Sequence, residues 1–189
     1  MKMPAFVINH PENIGNLLEI ALNVSDPISC KAWSVMEFIA KQRLIFLLPH
    51  TAAILENSTK THHDAAVRPI AKIYEYLCQS YFIDKDPSTC NAFQNEHFTQ
   101  MATVCFDWLI DEQKVAAKAY SMTCLLLLGR KFDWIWPELR QVLHQNYQKG
   151  SRAYQARARM ILAKLGWLPQ ESMRYCKPRI YGIINTDNC

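Results

Sequence analysis

Apolar residues recur along this chain at the spacing of one helix face. Near the N-terminus they fall at positions i, i+3, i+4, i+7 and i+8, as Ile14, Leu17, Leu18, Ala21 and Leu22. A comparable stripe returns near residue 160, as Tyr154, Ala158, Ile161, Leu162 and Leu165. Because an α-helix repeats every 3.6 residues, each stripe predicts an amphipathic helix that turns one face to a core.

Capping signals divide this pattern into four predicted helix pairs. Asp26, Asp64 and Ser151 stand where second helices should begin, as N-cap residues do, and Gly166 follows the last helix as a C′ residue. A surface loop with a proline turn is predicted at 84–89. The predicted pairs are 11–24 with 28–42, 47–57 with 64–82, 95–110 with 112–130, and 135–148 with 151–165.

The pairs share a register of prolines and basic residues. Pro11 stands twenty positions before Lys31, Pro49 nineteen before Arg68, and Pro137 twenty before Arg157. In the third pair Phe98 stands twenty positions before Lys118, without a proline. Proline is favoured in the first turn of a helix, where its missing N–H would have no partner. This phase agreement predicts an internal repeat.

The residues Asp64-Ala65-Ala66-Val67-Arg68-Pro69-Ile70-Ala71 read D-x-x-V-R-x-x-A and resemble the second helix of a HEAT repeat. Residues 150–159 are similar to a segment of small uncharacterised bacterial HEAT-like proteins. The resemblance covers roughly residues 10–166. It implies a right-handed, armadillo-like α-α superhelix of about four antiparallel pairs, with the second helices on the concave face, and brings no established activity. We therefore expect one domain at 1–167 and an extended C-terminal tail at 168–189.

Composition agrees with a helical protein and excludes several classes. Of 189 residues, half are apolar, a fifth are charged and only five are glycine, which sheets and loops use more often. No uncharged apolar stretch reaches membrane-spanning length, and the N-terminus lacks a secretory pattern. The cysteine count is odd, at seven, with no C-x-x-C pair. We expect a cytoplasmic protein whose helical cysteines act as small buried hydrophobes.

Charge is unevenly distributed along the chain. Residues 1–111 hold 8 Lys/Arg and 12 Asp/Glu, whereas residues 112–189 hold 13 and 5. A net charge of −4 is thus followed by +8, which favours an acidic protein or nucleic-acid partner for the C-terminal half. The candidate partner-binding residues are Lys114, Lys118, Arg152, Arg157, Arg159, Trp134, Trp136 and Arg140. The alternative is structural, because the basic residue of a HEAT repeat often pairs with an aspartate of its own or a neighbouring repeat.

One alternative function is enzymatic. DNA alkylation repair glycosylases are HEAT proteins that bind damaged duplex with tryptophans, an aspartate and an arginine, and the chain carries Asp133, Trp134, Trp136 and Arg140 close together. Their order does not match that family residue by residue, and packing between repeats explains the tryptophans equally well. His62-His63-Asp64 has the residue types of a metal site but no further ligands at a recognisable spacing.

No nucleophile–base spacing, phosphate-binding loop or cofactor motif occurs in the sequence. We therefore predict a non-catalytic scaffold, with no catalytic, metal or cofactor residues, that binds a protein or nucleic acid. A repair glycosylase or lesion-binding protein is the alternative. The oligomeric state stays open.

Overall fold

The computed structural model of this chain describes residues 3–61 and 64–166. Every regular element in these ranges is helical, which confirms the predicted all-α class. The predicted tail at 168–189 and the His62-His63 pair lie outside the described residues. The α-helices are α1 Met3–Asn9, α2 Ile14–Leu22, α3 Ile28–Arg43, α4 Thr51–Ser58, α5 Asp64–Gln79, α6 Pro87–Ala92, α7 Asn95–Ile110, α8 Val115–Leu128, α9 Ile135–Tyr147 and α10 Arg152–Lys164.

The cap residues show how the sequence sets the helix ends. The Asp26 carboxylate accepts a hydrogen bond from the Ile28 amide at 2.9 Å, at the start of α3. The Ser151 hydroxyl accepts one from the Tyr154 amide at 3.3 Å, at the start of α10. Gly166 has a φ of +73°, the left-handed conformation that a C′ residue needs. The Ser151 and Gly166 predictions are confirmed because each cap uses only neighbouring atoms. The other two N-cap predictions differ by one residue, since Pro27 is the N-cap of α3 and α5 begins at Asp64 itself.

Two boundaries differ from the prediction. Pro49 lies inside a 3-10 segment, Leu44–His50, and α4 begins only at Thr51, because a proline without an N–H interrupts the α-helical hydrogen-bond ladder. The predicted loop at 84–89 contains the start of a helix, α6. There the Asp86 carboxylate accepts from the Thr89 amide at 2.8 Å, so Asp86-Pro87 is a helix start.

Helix contacts place the elements in two layers. In one layer α3 packs against α5, α5 against α8, and α8 against α10. In the other, α4 packs against α7 and α7 against α9. Contacts of α2 with α3, α7 with α8 and α9 with α10 join the layers. Among the described residues, the side of the α3/α5/α8/α10 layer that faces away from α4, α7 and α9 has no covering helix layer, although α1 also packs against α3. That side carries the candidate site.

One long segment has the length and apolar composition of a membrane span. It runs over Ile28–Ser58 and combines α3, the 3-10 segment and α4. Trp33, Met36 and Ile39 of α3 are fully buried within the fold. Burial in the protein core therefore accounts for these three apolar residues of α3.

The core contains polar atoms with contrasting environments. The Tyr74 hydroxyl donates to Ser58 Oγ at 2.7 Å, and its ring lies 5.5 Å from that of Trp108. The Tyr154 hydroxyl is buried without a hydrogen-bond partner in the described residues. Burial raises the pKa of Tyr154 to about 12 and that of Tyr74 well above its usual value. Cys78, Cys105 and Cys124 are buried, as expected of small hydrophobes.

Replacing either tyrosine with phenylalanine should give opposite results in chemical denaturation. We expect Tyr74→Phe to lower the free energy of unfolding by about 1 to 1.5 kcal/mol, because a satisfied buried hydrogen bond is lost. Tyr154→Phe should be neutral or stabilising by up to about 1 kcal/mol, since it removes an unpaired hydroxyl. Equal losses of unfolding free energy in both variants would contradict a hydrogen-bonded Tyr74 hydroxyl and an unpaired Tyr154 hydroxyl.

The two tyrosines also predict how the free energy of unfolding changes at alkaline pH. Both folded-state pKa values lie above the unfolded value of about 10, so the unfolded state releases these protons first. The stability that the neutral tyrosines contribute is therefore complete below about pH 10 and is lost as pH rises through the folded pKa. Tyr154→Phe should flatten the decline in unfolding free energy between about pH 10 and 12.

Candidate binding face

On the uncovered side of the α3/α5/α8/α10 layer, an ion pair joins α3 to α5. Arg68 on α5 donates through Nη1 to Glu37 on α3 at 2.8 Å, and its Nη2 lies 3.4 Å from the other carboxylate oxygen. The sequence predicted pairing with an aspartate. The partner is a glutamate of the adjacent helix, whose longer side chain reaches across the interhelical gap.

Lys72 occupies the middle of this side, one turn beyond Arg68 on α5. Its ammonium donates to Glu75, and it lies 4.7 Å from the ring centroid of Tyr76 and 4.6 Å from that of Tyr120 on α8. Burial lowers the pKa of Lys72, but hydrogen bonding and attraction to Glu75, with the two tyrosines, outweigh it and raise the pKa overall. The ammonium is therefore held charged between two aromatic rings.

Arg157 extends this arrangement from α8 to α10. Its Nη1 lies 3.4 Å from the Thr123 hydroxyl, which in turn donates to the Ala119 carbonyl at 3.2 Å. Thr123 lies one turn from Tyr120 on α8, so the contact with α5 and the contact with α10 lie on the same side of that helix. We call this surface the α5/α8/α10 face and define it by Lys72, Tyr76, Tyr120, Thr123 and Arg157, all partly exposed.

The other predicted basic residues lie apart from this face. Arg159 donates through Nε and Nη2 to the Tyr147 hydroxyl of α9, at 3.3 and 3.1 Å. Arg152 is exposed at the start of α10, and Lys114 is exposed at the N-cap of α8. Because Arg157 and Arg159 are two residues apart, their side chains lie on opposite edges of α10.

Lys118 belongs to the beginning of α8. Burial lowers its pKa, and Asp111 and Glu112 in the preceding turn oppose that shift. The charged groups that act on Lys118 are therefore those of the acidic turn. The predicted basic residues therefore lie in three places: the α5/α8/α10 face, other parts of α10, and the start of α8. The role of each of them in binding stays a prediction.

The aromatic and arginine candidates near α9 make packing contacts. Trp136 donates through Nε1 to the Leu126 carbonyl at 3.0 Å, and a Cβ at Gly129 would lie 2.0 Å from the Trp136 ring, so only glycine fits there. Trp134 stacks on Phe106 with ring centroids 5.8 Å apart. Arg140 donates through Nη2 to the Leu165 carbonyl at 3.0 Å and thereby joins α9 to the end of α10.

The arrangement provides charge and aromatic surface rather than reactive groups. Asp133 is exposed in the turn before α9. In residues 3–61 and 64–166, no cluster of three or more His, Cys, Asp and Glu residues could hold a metal ion. No family model, curated protein or solved structure matches this chain.

Sequence reasoning identified Arg157 but missed Lys72, Tyr76 and Tyr120, which belong to the same face. A signal existed, because Arg68, Lys72 and Tyr76 recur every fourth residue and so share one face of α5. That spacing predicts which residues share a face of α5, but it does not predict which helix packs beside that face. Only the packing of α5 against α8 brings Tyr120 to the same ammonium.

Proposed function

We propose that this chain is a HEAT-like helical-repeat scaffold that binds a protein partner, without catalysis, on the α5/α8/α10 face. The proposal depends mainly on two contacts between partly exposed side chains, Lys72 with Tyr120 and Arg157 with Thr123, which together involve three helices. A preformed surface on packed helices binds with little ordering cost. The repeat register and the two-layer contacts support the HEAT-like superhelix as part of this proposal.

Charge on this side of the layer favours a protein over a nucleic acid. Arg68 and Lys72 are already paired with Glu37 and Glu75. Among these four residues and Arg157, three cations stand against two carboxylates, a net charge of +1 for the five. A duplex binder typically neutralises several phosphates with unpaired cations, whereas tyrosine and arginine are the residue types that concentrate in protein interfaces.

Selection from a displayed library of random peptides tests the proposal. Peptides enriched on the wild-type protein would be measured by fluorescence anisotropy against Arg157→Glu and Arg152→Glu. These two variants make the same charge change on one helix, on the face and away from it. We expect Arg157→Glu to weaken binding about 10- to 30-fold because it places like charge against an acidic ligand. Arg152→Glu should change it by less than about 3-fold.

Three results would overturn the proposal. Equal effects of the two variants, or no enriched peptide, would mean that the face does not bind a protein. Fluorescent single-stranded and duplex DNA would be titrated in parallel over a salt series. Tight DNA binding that falls steeply with salt and is lost in Arg157→Glu would replace the protein partner with a nucleic acid.

A further inference from the structure

Arg157 differs from the other two cations on this side of the layer. Arg68 and Lys72 each contact a carboxylate, whereas the hydrogen bond of Arg157 within the described residues goes to the neutral Thr123 hydroxyl. Arg157 is also partly buried, so water compensates its charge incompletely. A guanidinium presents five N–H donors in a planar fork that matches a carboxylate. Arg157 is therefore the position on the face where a ligand carboxylate gains most.

Lys72 does not provide a second position where a ligand carboxylate could bind. Its ammonium has three N–H donors, and Glu75 together with the two tyrosine rings surrounds it, leaving the side chain 22% exposed. The Glu75 and Glu37 carboxylates would also repel a further anion near α5. The face therefore suits one negative charge at its α10 edge and uncharged groups toward α5.

The tyrosines define what the uncharged groups are. The hydroxyls of Tyr76 and Tyr120 make no hydrogen bond within residues 3–61 and 64–166, so both are open to the amide groups of an extended peptide. Ala116 and Ala119 lie partly exposed beside them on α8, where small side chains let a peptide approach closely. Aromatic rings and proline pack well on such a surface.

The spacing of the two positions follows from α8. Thr123, which carries the contact to Arg157, lies three residues from Tyr120, a rise of about 4.5 Å along the helix. An extended peptide advances about 3.3 Å per residue. Arg157 Nη1 lies a further 3.4 Å from the Thr123 hydroxyl, and a bound carboxylate lies beyond it. The acidic residue and the aromatic or proline residue should therefore stand within about three residues of each other.

We infer that the ligand of the α5/α8/α10 face is an extended peptide segment in which a single Asp or Glu, held by Arg157, stands within about three residues of an aromatic residue or proline that packs on Tyr120. This inference rests on the proposed function, because it specifies the ligand of the same surface. It predicts that additional acidic residues in the segment do not strengthen binding.

A double-mutant cycle tests the carboxylate pairing. For an enriched peptide, each Glu would be replaced with Gln, or each Asp with Asn, and measured against the wild type and Arg157→Gln. We expect one such replacement to weaken wild-type binding about 10-fold and to have less than a 2-fold effect in Arg157→Gln. Arg152→Gln, the matched control, should retain the full 10-fold effect of the peptide change.

Variants of Tyr120 test the aromatic position separately. Tyr120→Ala should weaken binding about 10-fold, whereas Tyr120→Phe should retain most of it if ring packing dominates. Circular dichroism and the unfolding midpoint would confirm that each variant is folded.

These measurements distinguish failure of the inferred ligand chemistry from failure of the proposed binding face. If Tyr120→Ala weakens binding but no acidic residue couples to Arg157, the inferred ligand chemistry is wrong and the scaffold proposal stands. If neither Tyr120 nor Arg157 affects binding, the face itself is wrong and both proposals fall.

Discussion

Replacing Trp33 with alanine is expected to lower the free energy of unfolding by about 4 kcal/mol, as for other large-to-small changes in well-packed cores. Trp33 is fully buried on α3, in the layer that α5 continues. Removal of the indole leaves a cavity that the surrounding helices fill only in part, so lost apolar burial adds to a cavity cost. Urea denaturation followed by circular dichroism measures the change.

Two further variants separate burial from the mere presence of tryptophan. Trp33→Phe should cost only about 1 to 2 kcal/mol, because the indole Nε1 has no partner in the described residues and its loss removes an unpaired donor. Trp134→Ala should cost at most about 1 kcal/mol, since Trp134 is 49% exposed. A loss in Trp134→Ala as large as that in Trp33→Ala would contradict the assigned core.

Replacing Lys72 with methionine is expected to lower the free energy of unfolding by about 3 kcal/mol, because it leaves the Glu75 carboxylate without its cation. The Glu75 side chain is only 6% exposed, so water can replace the lost partner only in part. Arg68→Met is the matched control on the same helix. Its own side chain is 46% exposed in the Glu37 pair, and we expect a cost below about 1 kcal/mol.

The double variant Lys72→Met/Glu75→Leu makes this prediction specific. It removes both charges, so much of the loss in Lys72→Met should be recovered. Equal costs for Lys72→Met and Arg68→Met, or no recovery in the double variant, would show that the buried pair is not what stabilises this part of α5.

The raised pKa of Lys72 fixes the sign of its pH dependence. A lysine whose folded pKa exceeds its unfolded value stabilises the fold fully below the unfolded pKa, about 10.4. That contribution is lost as pH rises through the folded pKa. Wild type and Lys72→Met should therefore converge in stability above about pH 10.4, after correction for the tyrosine titrations.

Much of the helical content could be predicted because it depends on local physics. The stripe beginning at Ile14, the Ser151 cap and the left-handed Gly166 each involve residues within two or three turns of one another. The two missed helices, α1 and α6, are short, with seven and six residues, and too brief to show a clear stripe. Pro49 shows the opposite error, because a favourable first-turn residue was placed inside a 3-10 segment.

The candidate site was less predictable because pairing depends on which helix lies opposite. Arg157 and Arg159 carry the same charge two residues apart, and the sequence placed both in one basic set. The structure directs Arg157 to Thr123 on α8 and Arg159 to Tyr147 on α9. Net charge along the chain could not show that Arg68 and Lys72 are already neutralised by glutamates.

By itself, the sequence determined that this chain is all-helical, where most helices begin and end, and which residues face the core. Periodicity and capping are properties of a single segment, so they can be read from neighbouring residues. Tertiary structure decided that Lys72 lies between Tyr76 and Tyr120 and that Arg157 contacts the Thr123 hydroxyl rather than a carboxylate. Those contacts join α5, α8 and α10, and they exist only once the helices have packed together.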